Sequence, residues 1–198
     1  EMTSSLVGSE MCIRDSAKTD LFAELDETVF TFRERALRDG IEVKYSIPEV
    51  PAIANADANR LKQVFMNILD NALKYSRSPS KIFVKAEFTK LDNQNFVKIA
   101  IADQGCGISK EDLPHVKEKF YKANVSVRGS GIGLAVTNEI VNLHHGKLEI
   151  DSQEGKGTLV TIYLPVENSP TKNELNDMKQ NETVQDAEIN EGVEINKN

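Results

Sequence analysis

At 198 residues and 39% hydrophobic content the chain is long enough for one domain with appendages and can bury a core, while no apolar run approaches a membrane span. The formal charge of −7 is concentrated at the end: residues 166–198 hold eight acids and three lysines, a net of −5, which leaves −2 for the first 165 residues and gives no sign of nucleic-acid binding. The two cysteines, Cys12 and Cys106, are distant in sequence, suggest neither a disulfide framework nor a zinc site, and fit a reducing, cytoplasmic setting.

The first sixteen residues, EMTSSLVGSEMCIRDS, carry no sustained period and no secretory h-region, and resemble translated adapter sequence or a frayed end. They are set apart from the fold. From Asp20, Leu21, Leu25, Val29 and Phe32 recur at three- and four-residue steps and predict a helix closed by Asp39-Gly40. IEVKYSI alternates Ile41, Val43, Tyr45 and Ile47 with polar residues, a strand with one buried face, ended by Pro48 and Pro51. Asp57 is placed to cap a long helix through Tyr75. KIFVKAEF and NFVKIAIAD predict two strands joined by the polar hairpin TKLDNQ. Residues 104–130 are looser, with a short helix expected where Ser109 and Asp112 form a capping box. A second long helix runs from the glycines of RGSGIGLAV to LHHG, and KLEIDS and GTLVTIYLP form a last hairpin. Residues 166–198 are polar and acidic with single hydrophobes, a composition expected to stay disordered. Hairpins with few helices predict an α+β fold: a two-layer α/β sandwich with a mixed, mostly antiparallel sheet and helices on one face.

Three stretches could carry chemistry. On the helix RLKQVFMNILDNALKY, Leu61, Val64, Phe65, Ile68 and Ala72 form an apolar stripe, and Arg60, Gln63, Asn67, Asn71 and Lys74 line the other side. The basic residues alone suit a solvated face. Two asparagines one turn apart are less ordinary, because asparagine favours caps and turns, and a neutral amide oxygen suits Mg²⁺. In VKIAIADQGCGI, Asp103 shares parity with Val97, Ile99 and Ile101, so its carboxylate points the way of the core and needs a donor, such as the exocyclic amine of adenine. Taken alone, an aspartate before glycines more often simply ends a strand.

The third stretch places Lys117, Lys119, Lys122 and Arg128 ahead of RGSGIGLAV. Glycines opening a helix present amides and a favourable dipole to an anion. The spacing excludes the two commonest phosphate loops: a dinucleotide fingerprint wants glycine where Leu134 stands, and a Walker-type loop wants Lys-Ser/Thr after Gly133, which is followed by Leu-Ala.

NILDNALKYS, DQGCGI, EKFYKA, GSGIGL and GKGT nevertheless occur in the order and at the separations of the N, G1, F, G2 and G3 boxes, and the chain from about Asp20 to Pro165 resembles the histidine-kinase ATP-binding domain. The resemblance implies a Bergerat-type ATP-binding fold with ATP between the helices and the sheet. It implies that Asn71 ligates Mg²⁺ with Asn67 assisting, and that Lys74 and Tyr75 lie near the phosphates and base. It gives Asp103 the adenine amine, and Gly105, Gly107 and Ile108 the base pocket. Phe120 would anchor the lid, and Lys122 and Arg128 would approach the phosphates. Gly129, Ser130, Gly131, Gly133 and Leu134 would form the phosphate side, with Thr158 beneath the base. The lid, residues 123–127, is short, and His145 stands where the family often has glycine; His144 and His145 suit partners of a helix dipole.

In the wider superfamily, ATPases and serine kinases carry a glutamate base one turn before the metal-binding asparagine. Here Asn67 holds that position and cannot take a proton, which favours transfer to a nucleophilic histidine over hydrolysis. None of His115, His144 and His145 matches the phospho-acceptor, which the resemblance puts on a dimerisation domain upstream, so no catalytic residue is assigned. The expected partners are that domain, in a homodimer of the parent kinase anchored at the inner face of the plasma membrane, and a response regulator. A regulatory nucleotide-binding module, or an interaction domain without phosphotransfer, is the alternative.

Overall fold

The structure, a computed structural model, describes residues 16–123, 130–171, 174 and 184–194. Asp20 ends a short strand, β1 (Ala17–Asp20), and caps helix α1 (Leu21–Arg38), accepting from the Phe22 N–H at 3.1 Å. The same carboxylate accepts the Ala52 N–H at 3.0 Å and so fixes the approach to β3 (Ile53–Ala56). Between them, β2 (Ile41–Ser46) follows Gly40, whose φ of +73° closes α1. Asp57 accepts from the Arg60 N–H and starts α2 (Ala58–Tyr75). Strands β4 (Ser80–Leu91) and β5 (Gln94–Asp103) form a long hairpin turned by Asp92 and Asn93, both left-handed. Then come α3 (Gly133–Leu143), β6 (Lys147–Gln153) and β7 (Gly157–Pro165).

The main sheet has the order β2-β4-β5-β7-β6; β2 runs parallel to β4, and every other pair is antiparallel. β1 and β3 pair separately. One face of the sheet presents Val84, Val97, Ile99, Ile101 and Ile162, all buried beneath Leu25, Val29 and Phe32 of α1, Phe65, Ile68 and Leu69 of α2, and Ile140 and Val141 of α3. At roughly 1.5–3 kcal/mol per fully buried side chain, this layer supplies most of the drive to fold. No helix among the described residues is long and apolar enough to cross a membrane.

The two-layer arrangement with a mixed, mostly antiparallel sheet is the one expected. Three details differ. The short pair β1–β3 has no alternating pattern of large hydrophobes; Ala54, Ala56 and Thr19 are its buried residues, so tertiary placement rather than propensity makes it a sheet. The capping box forms, with Ser109 Oγ 2.7 Å from Asp112 Oδ2 and accepting the Asp112 N–H at 3.1 Å, but residues 110–120 make successive turns and no helix.

The third difference falls within the tail expected to be disordered, of which residues 172, 173, 175–183 and 195–198 lie outside the described residues. A fourth helix, α4 (Val184–Glu194), packs on the outer face of the sheet. Ile189 and Val193, one turn apart, meet Phe83, Ala100, Ala102 and Leu159 in a second apolar cluster. Small side chains at Ala100 and Ala102 give the helix room, and Glu188 reaches Lys81 at the rim. The hydrophobes of the tail are few, but two of them share a face, and that face has a ready partner.

Candidate nucleotide site

Between α2, the start of α3 and the end of β5 lies a cavity of about 230 Å³. Of the residues expected at a nucleotide site, it brings together Asn71, Lys74, Tyr75, Asp103, Gly107, Ile108, Lys122, Ser130, Gly131, Gly133, Leu134 and Thr158. Arg128 and Gly129 lie outside the described residues, as do four of the five lid residues.

Asp103 is the buried acid of the wall, 7% exposed. Its Oδ1 accepts the N–H of Gly105 at 2.8 Å and of Thr158 at 3.2 Å. Burial pushes the carboxyl up to about 6, and those two amides pull it back toward the ionised form without undoing the effect. Gly105 does not itself line the cavity. A Cβ there would stand 2.6 Å from the Tyr75 carbonyl oxygen and 2.7 Å from Asp103 Oδ1, so the loop passes under the aspartate only because the residue is glycine. Gly107 has a φ of +67°, the left-handed region, and its missing side chain lets the loop lie against Gln153.

The floor at Thr158 belongs to a hydroxyl network absent from the sequence reading. Ser152 Oγ accepts the Ile108 N–H at 2.9 Å, donates to the Gly157 carbonyl at 2.8 Å, and lies 2.9 Å from Thr158 Oγ1. It ties the glycine loop after β5 to the β6–β7 hairpin. A single serine in a strand carries no signal that would single it out. Cys106, given no role from sequence, lines the cavity, and its backbone bridges two elements: its N–H donates to the Tyr75 carbonyl at 3.2 Å, and its carbonyl accepts from Gly155 at 2.8 Å. Val116, Tyr121 and Ile150 also enter the wall unforeseen; they come from segments whose packing only the tertiary fold fixes.

Several expected residues stand elsewhere. Asn67 is turned to α3, with Nδ2 at 3.4 Å from both the Gly133 carbonyl and Thr137 Oγ1, and it joins two helices rather than lining the cavity. Phe120 has a φ of +70° and a ring 73% exposed. The tie it makes is main-chain: its N–H donates to the Gly131 carbonyl at 2.9 Å. Lys117 donates to the Leu148 carbonyl at 2.6 Å and Lys119 faces Glu139 at 3.5 Å, so of the three described lysines in that segment only Lys122 lines the cavity. His144 bridges the end of α3 and the cap of α2: its Nε2 accepts the Asp57 N–H at 3.1 Å, and its Nδ1 lies 2.8 Å from the Ile140 carbonyl oxygen. His145 has a φ of +57°, a backbone state that suits the glycine often found there.

α3 begins at Gly133, where among the described residues no side chain caps its first turn, and Gly131 has a φ of +71°. The head of this helix, with Gly131, Gly133 and Lys122 in the wall, is an end of the cavity suited to an anion, and Lys74 also lines the cavity, its ammonium 4.9 Å from the centroid of the Tyr75 ring. The other end, with Asp103, Ile101, Ile108 and Val160, combines one acceptor with flat apolar walls.

Comparison with known proteins agrees with this geometry. Residues 56–168 match the family described as histidine kinase-, DNA gyrase B-, and HSP90-like ATPase. The Non-motile and phage-resistance protein of Caulobacter vibrioides is 34% identical over 151 residues, 74% of this chain and 18% of that protein. The sensor protein kinase WalK of Staphylococcus epidermidis is 34% identical over 138 residues, 68% of this chain and 22% of the relative, so the chain spans about a fifth of the length of these proteins. The mycobacterial sensor histidine kinase MprB superposes with a TM-score of 0.63 at 28% identity, covering 78% of this chain and 99% of that one. Full-length ShkA in complex with AMPPNP shares the fold, with a TM-score of 0.66 at 22% identity over 79% of this chain and 32% of that one. The match covers the part of the chain that forms the cavity, and the chain belongs to the histidine kinase-, DNA gyrase B- and HSP90-like ATPase family, as an ATP-binding domain of the sensor histidine kinase kind.

Proposed function

We propose that this domain binds Mg-ATP in the cavity and presents the γ-phosphate to a histidine on a dimerisation domain of a parent kinase, which then passes it to a response regulator. The observation that carries this reading is the composition of the cavity wall: a buried acceptor at Asp103 beside Thr158, with the glycines at the head of α3 and the lysines Lys74 and Lys122 in the same wall. Asp103 receives the exocyclic amine of adenine, while Tyr75, Ile108 and Thr158 flank the base. Lys74, Lys122 and the amides around Gly131 and Gly133 neutralise the phosphates. Ser130 and Leu134 complete that wall.

The residues present fit a magnesium ion that arrives with the nucleotide. Among the described residues no cluster of three histidine, cysteine or acidic side chains could hold a metal alone. Asn71 offers one neutral oxygen donor in the wall, the donor set expected where phosphates and waters complete the shell. Bound there, the ion would neutralise phosphate charge. The chain's own residues then contribute position: α2 sets Asn71, α3 sets the amides, and Asn67 holds the two helices together in place of a proton-accepting base. Phosphoryl transfer asks for such positioning more than for a base when the acceptor is a neutral imidazole. The domain by itself is expected to bind ATP without phosphorylating itself, and the parent kinase to sit at the inner face of the plasma membrane.

Titration calorimetry with ATP, with and without Mg²⁺, tests the binding half. Mixing the domain with a dimerisation domain carrying the histidine and γ-labelled ATP tests transfer. Label appearing on that domain supports the reading. Binding without transfer leaves a regulatory nucleotide module, and no binding leaves an interaction domain.

A further inference from the structure

Tyr121 is an aromatic residue of the cavity wall, and the residue that follows it in the chain, Lys122, lines the same cavity. The segment that delivers both, residues 110–120, consists of turns and has no ladder to hold it. Main-chain turns, in which Leu113, His115 and Glu118 donate to the carbonyls of Ser109, Asp112 and His115, place it together with side chains. Asp112 stands at the centre: Oδ2 accepts from Ser109 Oγ at 2.7 Å, and Oδ1 accepts from the Tyr121 hydroxyl at 2.5 Å. The Asp112 N–H returns to Ser109 Oγ at 3.1 Å, so the box that starts the segment and the tyrosine that ends it share one carboxylate. The His115 ring lies 5.4 Å from the Tyr121 ring, tilted 36° to it. The Phe120 N–H reaches the Gly131 carbonyl and aligns the segment with the glycines before α3.

We propose that Tyr121 is a positioning residue for the phosphate end of the nucleotide: its hydroxyl, held by Asp112, fixes the main chain that carries Lys122 at the cavity wall. The proposal rests on the ATP reading above. The ring fills the wall whether or not the hydroxyl is present, so the hydroxyl serves a different purpose from the ring. Hydrogen bonds from Ser109 first, and from Tyr121 second, hold the Asp112 carboxyl below the usual carboxylate range, so the acceptor is ionised at neutral pH. A charged acceptor makes the stronger kind of hydrogen bond, suited to fixing a segment that lacks regular structure. Lys122 is a long, flexible chain, and where its ammonium can reach is set by where its Cα stands.

The consequence is selective. Losing the hydroxyl lets the Lys122 backbone wander, which weakens contact with phosphates and leaves the base end unchanged. Dissociation constants of ATP, ADP and adenosine are measured for the wild type and for Tyr121→Phe, Asp112→Ala, Asp112→Asn, Lys122→Ala and the double variant Tyr121→Phe/Lys122→Ala, with a thermal melt of each. Tyr121→Phe and Asp112→Ala should weaken ATP about fivefold to tenfold, ADP less, and adenosine not at all. Asp112→Asn keeps an acceptor for the hydroxyl and should recover most of the affinity. The double variant should bind ATP no more weakly than Lys122→Ala alone, because both changes act on one ammonium. Wild-type ATP affinity in Tyr121→Phe, or an equal loss for ATP and adenosine, overturns the proposal and leaves the ATP reading intact. A wild type that binds neither ATP nor adenosine overturns both.

Discussion

The carboxylate of Asp103, the last residue of β5, accepts the backbone N–H of Thr158, its register partner on β7, at 3.2 Å. This acid ends its strand and is also built into the sheet and walled by it. Its carboxyl is raised from the ordinary 3.8 to about 6, so between those values the folded chain holds a proton that the unfolded chain has released. Stability is therefore greatest below the lower value and falls as pH rises through the window; above it the ionised form stays buried at a cost of about 3 kcal/mol at most. Asp103→Asn keeps an oxygen for the two amides and removes that cost. Its melting temperature should exceed that of the wild type at neutral pH, with the gap closing on acidification. Nucleotide affinity should move the other way: lost in Asp103→Asn, and in the wild type falling about tenfold from about pH 7.5 to about pH 5 as the acceptor is protonated. A pH-independent affinity would remove Asp103 from adenine recognition.

Asn71 and Asn67, one turn apart on α2, should separate on substitution. Asn71→Ala is expected to weaken Mg-dependent ATP binding at least about tenfold and to leave binding in a chelator unchanged. Asn67→Ala removes an amide that faces Gly133 and Thr137, so its main effect should be a lower melting temperature. Calorimetry with and without Mg²⁺, beside a melt, distinguishes them. Equal Mg-dependence of the loss in both would restore the shared-ligand reading.

Cys106 offers an internal reporter. Its thiol is half-buried in the cavity wall, 3.5 Å from the Gly107 carbonyl oxygen. In a Cys12→Ser background, nucleotide at about ten times its dissociation constant should slow alkylation by about tenfold, the factor by which free sites are depleted. Mass spectrometry of the Cys106 peptide reads this directly. Alkylation indifferent to ATP would put the ligand elsewhere.

The outer face makes a prediction that the site does not. Ile189 is fully buried against Phe83, Ala100, Ala102 and Leu159. Ile189→Ala should weaken the docking of α4 by about 2 to 4 kcal/mol and increase binding of a dye that reports apolar surface, with ATP affinity unchanged. Gly192 supports the same point, since a Cβ there would stand 2.5 Å from the Phe83 ring. A matching loss of ATP affinity would mean that the two faces are coupled.

What could be read in advance followed physical rules that act locally. Asp20 and Asp57 cap helices because a carboxylate before a helix finds free amides, and Val97, Ile99 and Ile101 alternate because a strand has two faces. Asp103 shared that parity, so its inward direction was legible from the sequence. Residues whose roles come from distant partners were not: Ser152 matters only because Ile108, Gly157 and Thr158 surround it, and His144 only because Asp57 lies across from it. Phe120, expected to anchor the lid, contributes its amide to the Gly131 carbonyl. Within residues 184–194, averaged composition hides a single pair, Ile189 and Val193, placed one turn apart.

β7 ends at Pro165 and α4 starts at Val184, so α4 reaches the sheet as a ligand tethered to its own receptor. The tether sets an effective concentration, which lets a contact of a few side chains persist that would not hold between separate molecules. It also makes departure local. α4 can leave and return while β4, β5 and β7 keep their ladder, so amide exchange in α4 should follow the docking equilibrium, and exchange in β5 the stability of the whole domain. Any other protein surface that binds the outer face must first win that contest against a competitor that never diffuses away.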